Sequence, residues 1–173
     1  MSDSLEQFLE QVARRGSWVG GGSVAALCAA LSAALLEKLI VQPRVARRLR
    51  VMQRECLQLV HRDAELFARV IHATREGNRR AVSRSLKVAT NVPYRVWVHA
   101  QAVQAACRAA QRSVKPRFQS DLRCAMAVAL AASESARTLI HTNLAWLDDG
   151  AYSRMMRRRL QMVTRRHAHA TSR

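Results

Sequence analysis

Gly20-Gly21-Gly22-Ser23-Val24-Ala25-Ala26-Leu27-Cys28-Ala29-Ala30-Leu31-Ser32-Ala33-Ala34-Leu35-Leu36 is the least polar stretch of the chain and opens on three adjacent glycines. After the glycines every residue up to Glu37 is apolar or a small hydroxyl, with no period-2 alternation. A segment apolar on all sides reads as a helix at the centre of a helical protein. Ser23 is a good N-cap, so this helix is expected from Ser23 to about Val41. Its apolar run of thirteen residues, Val24 to Leu36 with Ser32 inside it, falls short of the ~20 needed to span a bilayer. An amphipathic segment precedes it, which argues against an export signal and for a cytoplasmic protein with no membrane partner.

Working outward, the same signals recur. Ser4 and Gln7 fit a capping box ahead of the stripe Leu5, Phe8, Leu9 and Val12, a helix over about 4–15. A long helix over about 44–75 carries the stripe Val45, Leu49, Met52, Cys56, Leu59, Val60, Phe67, Val70 and Ile71, and Gly77-Asn78 ends it. The segment 79–112 is helical, with a break or kink expected after Asn91 because Pro93 follows. A fifth helix, capped by Ser120, runs to about Leu147, and a sixth starts near Asp148. The expected fold is therefore all-α: one domain over residues 1–173, a bundle of about six helices with long antiparallel members, and a disordered tail from about 168 to 173. Alanine dominates the second and fifth helices. An alanine-rich core buries little area per residue, so a homodimer is expected to complete it.

Composition narrows the function. The chain has 173 residues, 29 Lys or Arg against 12 Asp or Glu, and a formal charge of +17. Lys38, Lys87 and Lys115 are the only lysines; the other cations are arginine. Such a charge points to an anionic partner: nucleic acid, an acidic surface or a multiply negative small molecule. Six Gly and three Pro argue against a turn-rich β fold. Cys28, Cys56, Cys107 and Cys124 have no C-x-x-C spacing, and the six histidines form no ligand pattern; free thiols and no metal are expected.

Three features resist a packing explanation. The glycines give backbone N–H groups close access to a ligand at a helix N-terminus, although a flexible connector would use them too. Asp63 falls on the apolar stripe of the third helix, where a carboxylate must be ion-paired, hydrogen-bonded or functional. On the fifth helix, Asp121 and Asn143 lie on one face with Ala and Leu between them; helix-start electrostatics and a satisfied amide are the alternatives.

At these residues the chain resembles the formimidoyltetrahydrofolate cyclodeaminase and methenyltetrahydrofolate cyclohydrolase family. The resemblance runs from about Leu5 to Val163. It is carried by Gly20-Gly21-Gly22-Ser23-Val24-Ala25-Ala26, by Asp63-Ala64-Glu65-Leu66-Phe67 against the family's D-A-x-x-F, by Ala89-Thr90-Asn91-Val92-Pro93 against an A-x-x-V-P before the next helix, by Ser120-Asp121, and by Asn143-Leu144 with the trailing Asp149. Ser17-Trp18-Val19 stands where the family usually has Pro-x-Pro.

The resemblance implies a dimeric helical bundle. It implies hydrolysis of 5,10-methenyltetrahydrofolate to 10-formyltetrahydrofolate, or cyclodeamination of 5-formiminotetrahydrofolate, with no cofactor beyond the folate itself. It implies Asp63 and Asp121 as catalytic carboxylates, with Gly20, Gly21, Gly22, Ser23, Asn91 and Asn143 binding a tetrahydrofolate derivative, polyglutamylated or not. The competing expectations are an arginine-rich nucleic-acid-binding protein, motivated by +17, and an inactive scaffold paralogue.

Overall fold

The computed structural model describes residues 4–169, and every regular element among them is helical. In chain order these are α1 (Leu5–Ala13), α2 (Gly21–Leu39), α3 (Pro43–Arg75), α4 (Arg79–Ala110), α5 (Gln119–Trp146) and α6 (Gly150–His169), with a short 3-10 turn, Pro116–Phe118, before α5. Residues 170–173, at the end of the tail expected to be disordered, lie outside the described residues.

Several boundaries follow from local chemistry. Ser4 caps α1 as a capping box: its hydroxyl accepts from the Gln7 amide at 3.2 Å, and its own amide donates to the Gln7 side chain at 2.8 Å. Gly77, at φ +67°, turns the chain out of α3, a conformation few residues with a Cβ adopt. Asn78 then caps α4 by accepting from the Ala81 amide at 3.0 Å.

Three expectations fail. First, α2 begins at Gly21 with Gly20 as an N-cap that offers no side-chain bond, so Ser23 lies inside the first turn. The helix ends at Leu39 and is 19 residues long, as expected but two residues earlier; by length and composition alone it is long and apolar enough to cross a membrane, and half of it is buried inside the bundle. Second, α4 runs unbroken through Pro93. Val92, Pro93, Val96 and Trp97 are all buried, and their packing holds the helix against the loss of one hydrogen bond. The A-x-x-V-P segment thus lies in mid-helix rather than before one. Third, α5 opens at Gln119 after Phe118 and has no side-chain cap, so Ser120 does not serve as one.

The core forms around α2, which packs against α3 on one side, α5 on the other and α4 behind. Ala26, Ala29 and Ala33 of α2 and Ala125, Ala129 and Ala136 of α5 are wholly buried. Methyl side chains let these two helices approach closely and leave no room for a larger residue. Ala29→Leu is accordingly expected to destabilise the fold by about 1–3 kcal/mol through overpacking, read as a lowered urea midpoint with the slope unchanged. An unchanged midpoint would show a looser core than described.

Candidate functional site

At the end of the bundle where α2 begins, four elements enclose a cleft of about 210 Å³. Gly20, Gly21 and Gly22 form one wall; Asp63, Phe67 and Val70 of α3 a second; Leu86, Ala89 and Pro93 of α4 the floor; Leu139, Thr142, Asn143 and Trp146 of α5 the far side. A larger groove of about 570 Å³ between the α2–α3 connection and α4 is lined mostly by aliphatic and alanine side chains, with Gln42, Arg48 and Ser113 as its polar residues and no carboxylate or histidine for acid–base chemistry.

Asp63 is the centre of the cleft. A Cβ built on Gly22 would overlap both of its carboxylate oxygens, so only glycine admits the side chain here. Ser23 is completely buried, and its hydroxyl lies 2.9 Å from the Val60 carbonyl and 3.1 Å from Asp63 Oδ2. The Ser23 amide also donates to the carboxylate. Asp63 therefore acts as the cap that Gly20 cannot supply: a side chain from α3 accepts an orphan N–H at the start of α2.

Two influences on the Asp63 proton oppose each other. Burial raises its pKa above the ordinary aspartate value, and the two bonds from Ser23 pull it down without cancelling the rise. The Ser23 hydroxyl serves both protonation states. It donates to an ionised Asp63; when Asp63 is protonated, Oδ2–H donates to Ser23 Oγ, whose own proton turns to Val60.

The rest of the cleft is apolar with isolated polar groups. Trp18, Phe67 and Trp146 stand at its mouth, 40%, 41% and 64% exposed. Trp18 meets Phe67 edge-on, with centroids 6.2 Å apart. Three exposed aromatic rings around one opening suit a flat heteroaromatic ligand. Pro93 has no N–H, so the Ala89 carbonyl four residues earlier loses its helical partner beside the cleft floor. The amide of Asn143 has no hydrogen-bond partner among the described residues. Next to the floor, Lys87 Nζ pairs with Asp149 at 2.6 Å, and the Tyr152 hydroxyl donates to the Lys87 carbonyl at 2.9 Å, which fastens α6 to α4. The bond from Lys87 holds the Asp149 carboxyl below its usual range.

The expected residues divide. Gly20, Gly21, Gly22, Asp63 and Asn143 line the cleft. Ser23 is behind it and acts on Asp63 rather than on a ligand. Asn91 is exposed and outside the cleft: two residues from both Ala89 and Pro93, it faces nearly the opposite side of α4. Asp121 is also outside the cleft of its own chain. It starts α5 while Asn143 lies near the end, about 33 Å away at helical rise, and it pairs with Lys38 at 3.1 Å. Sequence reasoning missed the three aromatics, although Phe67 follows Asp63 by four residues and Trp146 follows Asn143 by three, the spacings that share a helix face.

The sequence matches the family model described as formiminotransferase-cyclodeaminase over residues 4–42 and 41–162. Among solved structures the fold is similar to that of formiminotetrahydrofolate cyclodeaminase from Thermotoga maritima, with a TM-score of 0.88 at 20% identity, covering 98% of this chain and 92% of that one. No curated protein matches the sequence.

The geometry at Gly22 makes a direct prediction. Gly22→Ala forces the Asp63 carboxylate off the Ser23 donors, which lie behind it, and should cost about 1–3 kcal/mol of stability through the lost buried hydrogen bonds. Gly20→Ala, with open space around its Cβ position, should stay within about 0.5 kcal/mol of wild type. Equal effects in chemical denaturation would contradict the placement of Asp63.

Proposed function

We infer the activity from one premise: the chain belongs to the formiminotransferase-cyclodeaminase family, whose model it matches along nearly its whole described length. We propose that it is a folate-dependent one-carbon enzyme that acts on the C–N bonds of a tetrahydrofolate derivative, either hydrolysing the 5,10-methenyl form to 10-formyltetrahydrofolate or closing 5-formiminotetrahydrofolate with release of ammonia. The observation that carries this reading is the half-buried Asp63, held by Ser23 at a glycine-lined helix start inside a cleft with an aromatic mouth.

Both reactions present a cationic carbon flanked by nitrogens. An ionised Asp63 beside that carbon offsets its charge in a partly dry site. In hydrolysis, water adds to the methenyl carbon and Asp63 takes one of its protons. The hydroxyl of the tetrahedral adduct then loses its proton as the formyl C=O forms and one C–N bond opens; the freed nitrogen keeps the electron pair and takes a proton, and one proton is released overall. In cyclodeamination, the second folate nitrogen adds to the formimino carbon instead, and the amino group leaves as ammonia after accepting a proton. A carboxyl whose pKa is raised toward neutrality exchanges protons more readily than a surface aspartate would. Asn143, with a free amide, would orient water or a pterin edge, and the Ala89 carbonyl would accept from a ring N–H. Trp18, Phe67 and Trp146 would stack on the pterin. The chemistry calls on no cofactor beyond the folate.

The arginine excess supports the same reading near the cleft. Arg79, Arg80 and Arg84 begin α4, the helix whose Leu86 and Ala89 line the cleft floor, and none is ion-paired among the described residues. A folate's glutamate tail, single or extended, carries the complementary charge.

The test is the absorbance decay of methenyltetrahydrofolate with purified protein. Decay faster than in buffer is expected, and Asp63→Asn should slow turnover at least tenfold through loss of the acid–base group. Trp18→Ala should act mainly on KM, because it removes binding area distant from the reacting carbon. No acceleration together with no folate binding would overturn the proposal.

A further inference from the structure

The two sides of α6 differ in chemistry. Tyr152, Met156, Leu160 and Val163 pack on the bundle, and Met156 and Leu160 are buried there. Arg154, Arg157, Arg158 and Arg159 lie off that stripe and are all exposed. At 3.6 residues per turn, Arg154 and Arg158 point away from the bundle, with Arg157 on one flank and Arg159 on the other. None of the four is ion-paired among the described residues. From Gly150 to His169 the helix contains no Asp or Glu; Asp148 and Asp149 precede it, and Lys87 holds Asp149. Arg154, Arg158 and Arg159 line a shallow trough of about 330 Å³ with Met155 and Met162. Like charges three and four residues apart destabilise a helix, so this face gains from an external anion.

The chemistry of the face selects the anion. A helix that lies in a membrane surface needs a free apolar side. The apolar side of α6 is already packed on the core. A single small anion would engage one or two of four guanidinium groups that spread around more than half of the helix. A repeating anion engages them all, and the planar guanidinium fork matches phosphate oxygens. Binding of unpaired strands relies on aromatic platforms for the bases. The one aromatic residue of α6, Tyr152, is packed on the bundle with its hydroxyl on the Lys87 carbonyl. We propose that the outer face of α6 binds the phosphate backbone of a nucleic-acid duplex without reading its sequence. None of these arginines lines the cleft, so the proposal stands independently of the folate reading.

Fluorescence anisotropy with short, labelled, mixed-sequence DNA and RNA duplexes tests it. Wild type should bind, and the tighter duplex identifies the source of the phosphates. The variant Arg154→Gln/Arg157→Gln/Arg158→Gln should bind at least tenfold more weakly at low salt, and the slope of log affinity against log salt should fall in magnitude by about 3, about one phosphate per arginine. Arg159 is left in place because it lies close enough to Tyr152 to act on its hydroxyl. The control is Arg44→Gln/Arg47→Gln/Arg48→Gln on α3, which removes the same charge from exposed positions with no ion pair. It should stay within about threefold of wild type. Should the α6 triple variant lose its far-UV circular dichroism, Arg158→Glu alone repeats the test at an exposed position and should also weaken binding at least tenfold. Equal losses in the α6 and α3 variants would reduce the effect to net charge and overturn the proposal. So would absent duplex binding at low salt, tighter binding of a single strand, or binding to phosphatidylserine vesicles in place of the duplex.

Discussion

The contact between Asp63 and the first turn of α2 holds the functional end of the molecule together. A carboxylate from one long helix replaces the missing N-cap of another, and the absence of a Cβ at Gly22 makes room for it. The interaction is costly to form because the carboxyl is partly dehydrated, and burial outweighs the two Ser23 bonds in setting its proton affinity. It joins α2 to α3 and gives the cleft its polar centre. Gly22 is thus the space in which Asp63 sits, whereas Gly20 has open room around it and Gly21 faces Leu139.

The alanine core sets the other constraint. Because α2 and α5 meet through methyl groups, α2 is narrow and central, with Leu31 on its outer side 56% exposed. The same small side chains that let the bundle close tightly also limit the apolar area one copy can bury.

Much of this was legible in the sequence. Helical periods located all six helices, and the position of Asp63 on an apolar stripe marked it as a carboxylate with a task. Asn143 and the glycines line the same cleft as Asp63. Asn91 was misplaced because Pro93 suggested a helix end, whereas tertiary packing carries α4 straight through, and in a continuous helix Asn91 faces away. Asp121 shares a face with Asn143, but a face shared along about 33 Å is not a site; height along the bundle is a tertiary quantity that periodicity does not contain. Ser23 looked like a cap because its sequence neighbours fit one, and only the partner on α3 reveals that it serves Asp63.

The charge of +17 also resolves into parts. Ion pairs such as Arg50–Glu37, at 2.6 Å, occupy some arginines along the outer helices. Others, Arg79, Arg80 and Arg84, stand at the start of the helix that forms the cleft floor. The most direct measurement of the account is the titration of the Asp63 carboxyl by 13C NMR, assigned with Asp63→Asn. The account predicts a midpoint above the ordinary aspartate value of 3.8, raised by burial against the pull of Ser23. A midpoint at or below that value would show an exposed or simply ion-paired carboxylate, and would contradict the site described.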